Sequence, residues 1–349
     1  MSKKPLILGI ESSCDETAAS LITENEEGFP VVLSNIVSSQ VEVHREFGGV
    51  VPELAARSHI EKIDWIVKKA IDESGRKIEE IDAVASTAGP GLIVCLSVGL
   101  SFGKAFATAM NKPFIAVNHL EGHALSPKLN TNLNYPYLLL LISGGHSQYL
   151  SVQNLGKYKR LGTTIDDALG EAFDKTAKLL GIEFPGGPQI EILAKKGDPE
   201  KYDLPKPIFS KGGCNLSFAG LKTAVLKISK TIKSEQDKYD LAASFQKTIE
   251  EILYKKTKIA FTEFEKINEL NEKIFVVAGG VAANKKIRSM LINLCEENNY
   301  KSIFPPIEFC GDNAAMIAMV GLEKFKINQF NNLDYPAKPR WPLDEDAAF

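Results

Sequence analysis

The fold is decided by residues 6–23, whose sequence is LILGIESSCDETAASLIT. Two apolar segments, 6–11 and 18–23, predict strands on either side of a polar turn. The same arrangement returns in YLLLLISGGHSQYLSVQ, where 137–143 and 148–153 predict a second hairpin. Helices and strands alternate after each hairpin, which is typical of α/β proteins. The repetition predicts two duplicated α/β lobes with a cleft between them.

The composition is that of an ordinary globular protein. The chain has 349 residues, of which 44% are hydrophobic and 24% charged, and its formal net charge is -3. These values argue against a disordered or collagen-like chain. Because the chain is not basic as a whole, binding a nucleic acid would require a local basic patch. Five scattered cysteines without a CxxC pair favour a reducing cytoplasm.

One uncharged stretch is long enough to raise the question of a membrane span. Residues 83–103 contain no charged side chain, and about 20 apolar residues cross a bilayer. Pro90 and four glycines interrupt the stretch. A buried strand, a Gly-Pro-Gly turn and a buried helix are therefore the better prediction.

Two histidines four residues apart predict a metal site. His119 and His123 fall on one face of a helix, and imidazole suits iron, zinc, copper or nickel. Glu121 falls near the opposite side, so it cannot be the water-activating base of an HExxH metalloprotease. Asp312, at the start of the last predicted helix, is a candidate third ligand, although a carboxylate there is also explained as a helix cap. Two imidazoles and one carboxylate would leave coordination positions open.

Two glycine pairs follow predicted buried strands. Gly144-Gly145 comes after the strand at 137–143, and Gly279-Gly280 comes between a strand at 274–278 and a helix. Without a β-carbon, the backbone N–H groups of such turns can approach a phosphate. The sequence contains neither GxxxxGK[ST] nor GxGxxG, so neither a P-loop nor a dinucleotide-binding fold is indicated. A plain tight turn is the alternative for each pair.

The segment from about 185 to 240 is rich in proline and glycine and predicts a loop-rich insertion. Its lysines are numerous enough to contact a polyanion, although a solvated surface also explains them. These lysines are Lys195, Lys196, Lys206, Lys211, Lys222 and Lys227.

Ten motifs, in order along the chain, resemble those of one enzyme family. They occupy residues 9–17, 48–55, 87–92, 119–123, 143–146, 166–178, 185–188, 217–223, 279–284 and 310–316. From about Leu6 to Leu343 the chain is similar to the tRNA N6-adenosine threonylcarbamoyltransferases, formerly labelled O-sialoglycoprotein endopeptidases. The resemblance implies the actin/Hsp70/sugar-kinase (ASKHA) fold, in which two duplicated RNase H-like lobes clasp a nucleotide.

The expected domain division follows from the repeated hairpins and from the resemblance. Residues 1–118 would form the N-terminal lobe, with a final helix over 313–330 packed back on it. Residues 119–312 would form the C-terminal lobe, including the insertion at about 185–240. Residues 331–349 would form an irregular tail.

The activity that the resemblance implies is that of a metal-dependent acyltransferase. The threonylcarbamoyl group passes from threonylcarbamoyl-AMP to N6 of the adenosine adjacent to the anticodon, in tRNAs that read ANN codons, and AMP is released. One divalent metal ion per subunit, iron or zinc, is the implied cofactor, and the adenylate is a substrate. The implied partners are tRNA, a shorter paralogous subunit without the metal motif, and a small P-loop ATPase. Neither a membrane nor DNA is expected, and the expected location is the cytoplasm.

The resemblance also implies roles for individual residues. The metal ligands fall on His119, His123 and Asp312. Apart from the resemblance, their position in the first hairpin turn makes Asp15 or Glu16 a candidate to accept the proton of the amine. Substrate contacts fall on Leu141, Ile142, Ser143, Gly144, Gly145, His146, Asp174, Gly187, Glu191 and Asn284.

Two other functions are compatible with part of the sequence. An endopeptidase would require a base next to the metal, and Glu121 is on the wrong face of its helix. An actin-like ATPase that acts as a chaperone or assembly factor would have the same fold. Hydrolysis of ATP without a modified nucleoside would identify the ATPase.

Overall fold

The computed structural model describes residues 4–209 and 212–347, so Lys211 lies outside the described residues. The chain divides into two compact units. The first comprises the residues up to Leu133 together with Pro305–Asp346, and the second comprises Asn134–Phe304. Each unit is built on one five-stranded sheet.

The described residues form ten strands and ten α-helices. The strands are β1 (Ile7–Glu11), β2 (Glu16–Glu24), β3 (Pro30–Ser39), β4 (Ala83–Gly89), β5 (Phe114–Asn118), β6 (Tyr137–Ile142), β7 (Ser147–Asn154), β8 (Lys157–Thr163), β9 (Ile274–Ala278) and β10 (Lys301–Ile303). The helices are α1 (Val41–His44), α2 (Pro52–Ser74), α3 (Ile93–Ala109), α4 (His119–Leu125), α5 (Leu169–Leu179), α6 (Gly186–Ala194), α7 (Ala219–Ser229), α8 (Glu235–Ile267), α9 (Lys285–Glu297) and α10 (Ala314–Lys326).

The sheet of the first unit is mixed. Its strand order is β3-β2-β1-β4-β5, with β1 antiparallel to β2 and parallel to β4. Every residue of β1, β4 and β5 is buried, and a strand that is covered on both faces is expected to be apolar throughout. The hairpin predicted at residues 6–23 is confirmed.

Helix α10 packs on β1 at a glycine. Leu8 and Ile10 belong to the hydrophobic core with α2, and Gly9, between them in the strand, points to the other face. A β-carbon at Gly9 would lie 2.5 Å from the carbonyl oxygen of Ala314, the first residue of α10. Its absence lets α10 lie directly on the strand, which brings the start of α10 close to the end of β1.

The sheet of the second unit repeats the first. Its order is β10-β9-β6-β7-β8, with β6 antiparallel to β7 and parallel to β9, as β1 is to β2 and β4. Strand β6, YLLLLI, is buried over its full length. The prediction of duplicated α/β lobes is therefore confirmed. The third strands, β3 and β8, were not predicted, because both are only partly buried and lack a continuous apolar run.

The boundaries of the units differ from the expected ones. Residues 119–133 and 305–312 belong to the first unit rather than to a C-terminal lobe. The reason is packing, because α4 lies against α10, and α10 lies against β1, β2 and β4. The insertion also contains more structure than expected, since α6 and α7 fall within it. Proline and glycine in the first turn of α6 are compatible with a helix because the first N–H groups have no partner within it.

The uncharged stretch forms β4, a turn and the 17-residue α3, as predicted. Across residues 4–209 and 212–347, no helix combines the length and the hydrophobicity needed to cross a membrane.

Candidate metal centre and glycine-rich turns

The two histidines of the predicted metal site lie on a short helix that begins where β5 ends. Asn118, the last residue of β5, caps α4, and its Oδ1 accepts a hydrogen bond from the N–H of Leu120 at 2.9 Å. His119 is the first residue of the helix, and His123 follows one turn later. Both imidazoles are buried, at 7% and 0% exposure. Burial is unusual for ionisable groups without partners, so their surroundings decide what they can do.

Asp312 completes the group. Its Oδ1 lies 3.1 Å from Nε2 of His123 and 3.5 Å from Nε2 of His119. One ligand atom from each of the three residues lies within 4.8 Å of the others, a geometry that could hold a metal ion. The cap of α10 is Asn313, whose side chain accepts a hydrogen bond from the N–H of Met316. Helix capping therefore does not explain Asp312, which leaves its contacts with the histidines as its role.

A buried carboxylate orients His119. Oε2 of Glu11 lies 3.0 Å from Nδ1 of His119 and accepts a hydrogen bond from Oγ1 of Thr87 at 2.6 Å. The other carboxylate oxygen accepts a hydrogen bond from the N–H of Ser13. With its Nδ1 proton shared with Glu11, the neutral imidazole would keep its Nε2 lone pair for a metal ion, which is the usual arrangement of a carboxylate behind a metal-binding histidine. Within the described residues, Nδ1 of His123 is buried without a hydrogen-bond partner.

Opposite charges set the ionisation of the centre. Burial lowers the pKa of His119, but the carboxylates of Asp312 and Glu11 outweigh burial and hold this pKa well above its usual value. Burial raises the pKa of Asp312 and of Glu11, and the His119 imidazolium outweighs it and lowers both. In the metal-free protein a proton on His119 thus compensates the buried carboxylate of Glu11 and the partly buried carboxylate of Asp312. The donor set fits a divalent cation, which would supply the same compensation.

The two candidate bases lie beside this centre. Asp15 is in the turn after β1, and Glu16 is the first residue of β2. Burial and the Asp312 carboxylate raise the pKa of Glu16 well above its usual value. The turn is held by His59, whose Nε2 lies 3.0 Å from the carbonyl oxygen of Cys14. The effect of the Asp312 charge on the pKa of Glu16 places Glu16 near the candidate metal ligands.

Glu121 is engaged in a buried ion pair. Its Oε2 lies 2.8 Å from Nζ of Lys324, and both side chains are buried. Nζ of Lys324 also donates a hydrogen bond to the carbonyl oxygen of Ala116, at 3.4 Å. The pair ties α4, which carries His119 and His123, to α10, which begins just after Asp312. A tether of this kind does not act as the base of an endopeptidase.

In the second unit, the turn between β6 and β7 contains four of the predicted substrate contacts. The N–H of Ser143 donates to the carbonyl oxygen of His146 at 2.8 Å, and the N–H of His146 donates to Oγ of Ser143 at 3.2 Å. Gly144 and Gly145, between them, are exposed, and no atom lies within 4 Å of the position of a β-carbon on either. The N–H of Gly170, in the first turn of α5, donates to the carbonyl oxygen of Ser143 at 3.1 Å. The turn therefore lies at the positive end of the α5 dipole.

Two further predicted contacts, Leu141 and Ile142, are the last residues of β6 and have no exposed surface. Only their backbone could therefore reach a substrate. The second glycine turn lies next to them, because a β-carbon on Gly279 would overlap the carbonyl oxygen of Ile142. Gly279 also has a φ of +95°, which a side chain would strain. The two glycine turns thus meet at the carboxyl ends of neighbouring parallel strands, where α/β proteins bind ligands.

The remaining predicted contacts are bound into nearby helices. Oδ1 of Asp174 accepts a hydrogen bond from the N–H of Gly186 at 2.8 Å, which holds the start of α6 and places Gly187 in its first turn. Oε1 of Glu191 accepts a hydrogen bond from the N–H of Lys285 at 3.1 Å. Asp174 therefore holds the start of α6, and Glu191 holds the backbone next to Asn284, after the second glycine turn.

Asn284 is fully engaged as a helix cap. Its Oδ1 accepts hydrogen bonds from the N–H groups of Lys286 and Ile287, and its Nδ2 donates to Oε1 of Gln246 at 3.0 Å. Next to it lies a cavity of about 560 Å³, within the range of small-molecule sites. Its lining includes Glu191, Lys195, Gln246, Lys285 and Lys286.

Two functional candidates were not singled out from the sequence. Glu11 falls within the first motif without a role assigned to it, and Asn118 falls in none of the ten motifs. A signal for Glu11 existed, because a carboxylate that ends a wholly buried strand must have a partner. For Asn118 the cap had a local signal, since Asn is a preferred residue before the first turn of a helix. Its second contact, with a residue more than 200 positions away, had none.

The fold and the site together define a class: an actin-like α/β protein of two duplicated lobes, with a buried group of residues able to hold a metal. Full-length HypF in its phosphate- and nucleotide-bound form superposes with a TM-score of 0.58 at 13% identity over 95% of this chain and 48% of that chain, so this chain spans about half of HypF. Component A of (R)-2-hydroxyglutaryl-CoA dehydratase from Acidaminococcus fermentans gives 0.51 at 14% identity, over 93% and 98% of the two chains. These similarities show the fold alone, and the predicted ASKHA fold is confirmed.

The family follows from more similar sequences. The family model TsaD, tRNA N6-adenosine threonylcarbamoyltransferase, matches residues 31–319. A protein of that name from Pelagibacter ubique (strain HTCC1062) is 80% identical over 349 residues, covering all of this chain and 98% of the relative. Another, from Rickettsia conorii, is 54% identical over 97% of this chain and 98% of the relative. The chain belongs to the tRNA N6-adenosine threonylcarbamoyltransferase family, and the predictions of a transferase and of this family are confirmed.

Proposed function

We propose that this chain transfers the threonylcarbamoyl group from threonylcarbamoyl-AMP to N6 of the adenosine adjacent to the anticodon, in tRNAs that read ANN codons. The observation that carries the proposal is the convergence of two buried histidines, His119 and His123, on Asp312, with Glu11 behind His119, in a chain of this family. In the reaction the amine nitrogen forms a bond to the carbonyl carbon, the bond from that carbon to the phosphate oxygen breaks, and AMP leaves.

His119, His123 and Asp312 would hold one iron or zinc ion through two imidazole nitrogens and one carboxylate oxygen. When bound, the ion supplies Lewis-acid polarisation of the substrate carbonyl. Glu11 keeps the His119 imidazole in the orientation that presents Nε2 to the ion. With only three protein ligands, coordination positions remain open for the substrate.

The glycine turns of the second unit would hold the adenylate. Exposed Gly144 and Gly145 can present backbone N–H groups to a phosphate without steric hindrance. The first turn of α5 adds the positive end of its dipole, because the N–H of Gly170 donates to Ser143. Ser143 and His146 keep the turn closed through their reciprocal hydrogen bonds. Glu191 would act indirectly by holding the backbone beside the second glycine turn, and Asp174 by holding the start of α6.

Positioning supplies much of the rate in this proposal. The donor is an activated mixed anhydride, so AMP is already a good leaving group. The exocyclic amine of adenine is a poor nucleophile, and holding it close to the carbonyl replaces a bimolecular encounter by a unimolecular step. Asp15 or Glu16 would accept the amine proton.

The proposed partners are tRNA, a shorter paralogous subunit without the metal motif, and a small P-loop ATPase, acting in the cytoplasm. Lys195, Lys285 and Lys286 line the cavity beside Asn284, which supports RNA contact on that side of the second unit. The apolar side chains of Ile60 and Trp65 on α2 are exposed at 65% and 45%. They support contact of the paralogous subunit with the first unit.

The proposal is tested by mass spectrometry of nucleosides. Unmodified tRNA is incubated with the chain, the two protein partners, ATP, threonine and bicarbonate, then digested to nucleosides. We expect threonylcarbamoyladenosine to appear and AMP to be released. The matched control is the same tRNA with guanosine in place of the adenosine beside the anticodon, which should remain unmodified. ATP hydrolysis without any modified nucleoside would instead favour an ATPase of the same fold.

A further inference from the structure

The C-terminal segment, residues 331–341, lies along the first unit and is more ordered than its sequence suggests. It begins as a one-residue extension of the sheet. The N–H of Asn331 donates to the carbonyl oxygen of Phe114, and Oδ1 of Asn331 accepts from the N–H of Ala116, both at 2.9 Å. Because β5 is the edge strand, these bonds use groups that would otherwise be unpaired. We call residues 331–341 the C-terminal strap.

The middle of the strap is seated on a glycine turn. The N–H of Lys338 donates to the carbonyl oxygen of Ala88 at 2.7 Å, and the N–H of Gly91 donates to the carbonyl oxygen of Pro339 at 3.2 Å. A β-carbon on Gly89 would overlap the carbonyl oxygen of Lys338. Glycine is therefore required at position 89 if the strap is to lie against the end of β4.

Aromatic side chains hold the end of the strap. Tyr335 and Trp341 pack against the hydrophobic core of the first unit, and their ring centroids are 5.9 Å apart. Nζ of Lys338 lies 5.3 Å and 4.8 Å from the two ring centroids, respectively, which is within cation–π range. Nζ of Lys104, on α3, donates to the carbonyl oxygen of Tyr335 at 2.6 Å.

The strap ends on the residue that starts the metal-site helix. Nδ2 of Asn118 donates to the carbonyl oxygen of Trp341 at 3.0 Å, while Oδ1 of the same amide accepts from the N–H of Leu120 at 2.9 Å. Asn118 is buried, at 3% exposure. One amide therefore joins the strap to the first turn of α4, whose first residue is His119.

We infer that the C-terminal strap is a positioning element for the metal centre, acting through Asn118 on His119. The inference rests on the proposed metal site of His119, His123 and Asp312. Glu11 holds the imidazole of His119 from one side, but the imidazole can face Asp312 only if its backbone starts the helix at the right point. The Asn118 amide sets that point, and the strap sets the amide. Asn118 is thus a positioning residue, which acts on His119 without contacting the metal ion or a substrate.

The test measures binding of Co²⁺ to the full-length metal-free chain, because the visible spectrum of Co²⁺ reports its ligands. Asn118→Asp keeps an oxygen for the Leu120 N–H but places a carboxylate oxygen against the Trp341 carbonyl, so the cap remains and the strap contact is lost. Gly89→Ala displaces the strap from the end of β4; because the partner of Gly89 in β5 is Asn118, Asn331→Ala, which loosens only the start of the strap, is measured beside it. Gly75→Ala is the matched control, since Gly75 also has a positive φ, +67°, but no atom near the position of a β-carbon.

We expect Asn118→Asp and Gly89→Ala each to raise the Kd for Co²⁺ about tenfold and to alter its spectrum, as loss of an outer partner of a metal ligand does. The double variant should bind no more weakly than the weaker single variant, because both changes break one connection. Gly75→Ala should bind like the parent chain. If Gly89→Ala does not fold, Asn331→Ala takes its place, since it removes the bond to Ala116.

If a folded Asn118→Asp variant binds Co²⁺ with the Kd and spectrum of the parent chain, the inference is wrong, while the proposed metal centre stands. Strictly additive effects in the double variant would also overturn the inference, since they would mean that the strap and Asn118 act separately. A parent chain that binds no Co²⁺ would contradict the metal centre itself, and the inference with it.

Discussion

The first strand of each sheet ends at a polar turn, and the two turns are built from different chemical groups. Strand β1 ends in Glu11, a buried carboxylate that contacts His119. Strand β6 ends in Ile142 and leads into Ser143 and two exposed glycines. The strand orders of the two sheets are the same. One topology therefore supports two kinds of site, one made of ionisable side chains and one made of backbone.

The difference changes what a substitution can do. In the first unit, buried Glu11 and His119 and partly buried Asp312 compensate each other, so removing one leaves a charge without a partner. In the second unit, the β6–β7 turn is open to solvent and its glycines have space around them. We therefore expect substitutions at the first site to affect both binding and stability, and substitutions at the second turn to affect binding alone.

The largest effect is expected for the candidate ligands. His123→Ala and Asp312→Asn should each lower metal affinity and formation of the modified nucleoside more than about 100-fold, beyond the range seen for outer partners. Metal content by elemental analysis and nucleoside mass spectrometry are the measurements. His44→Gln is the control, because His44 is a buried histidine of the same unit that contacts Gln40 and Val51 instead. Full metal content in either ligand variant would refute the assignment.

The next effect concerns the pair that ties α4 to α10. Glu121→Gln should lower the free energy of unfolding by about 3–5 kcal/mol, because it leaves Lys324 buried and charged. In the second unit, Glu263 and Lys266 are also 2.8 Å apart but are largely exposed, and Glu263→Gln should cost less than about 1 kcal/mol. Urea unfolding of the metal-free chains measures both. Equal losses of unfolding free energy in the two variants would mean that burial does not make the Glu121–Lys324 pair more stabilising than an exposed pair.

The two glycine turns should respond differently to the same change. Gly279→Ala should destabilise the chain by about 1–3 kcal/mol, since it combines strain at positive φ with overlap on Ile142. Gly144→Ala should change stability by less than about 0.5 kcal/mol but weaken binding of a non-hydrolysable adenylate analogue. Thermal unfolding and calorimetric titration separate the two effects. An unaltered affinity in Gly144→Ala would remove that turn from the adenylate site.

A smaller effect concerns protons. The pKa of His119 lies well above its usual value, so in the metal-free protein this imidazole contributes stability that is complete below about pH 6.5 and is lost as pH rises through the raised pKa. A metal ligand must be neutral, so binding displaces the proton. We expect about one proton to be released per Co²⁺ ion at neutral pH, measured calorimetrically in buffers of different ionisation enthalpy. Release near zero would show that His119 is already neutral.

The smallest effect concerns tRNA. Reversing the charges of Lys195 and Lys196 should flatten the dependence of log affinity on log salt by roughly 1.4–1.8, which is two phosphate contacts at 0.7–0.9 each. Lys68 and Lys69, exposed on α2 of the first unit, provide a control with the same change of charge. Filter binding at several salt concentrations measures both slopes. An equal loss in the control would indicate a general electrostatic effect and no site on the second unit.

Local patterns were sufficient to predict the two hairpins, because a buried strand must be apolar and a turn must be polar wherever they occur. They were also sufficient to place His119 and His123 on one helix face, since that depends only on helical period. The same patterns misjudged Asp312 as a possible cap. The cap is the next residue, Asn313. Which of two adjacent polar residues caps a helix depends on the path of the backbone, which the sequence pattern does not give.

By itself, the sequence of this protein determined its repeated α/β architecture, its family and the identity of the candidate ligands, because short-range periodicity and motif spacing express these features. Tertiary structure decided how the ligands are held. Glu11 and His119 are 108 positions apart, Glu121 and Lys324 are 203 apart, and Asn118 and Trp341 are 223 apart. Close approaches at glycines support two of these contacts, since Gly9 lets α10 lie against β1 and Gly89 lets the strap lie against the end of β4. No local pattern in the chain encodes where a distant segment returns.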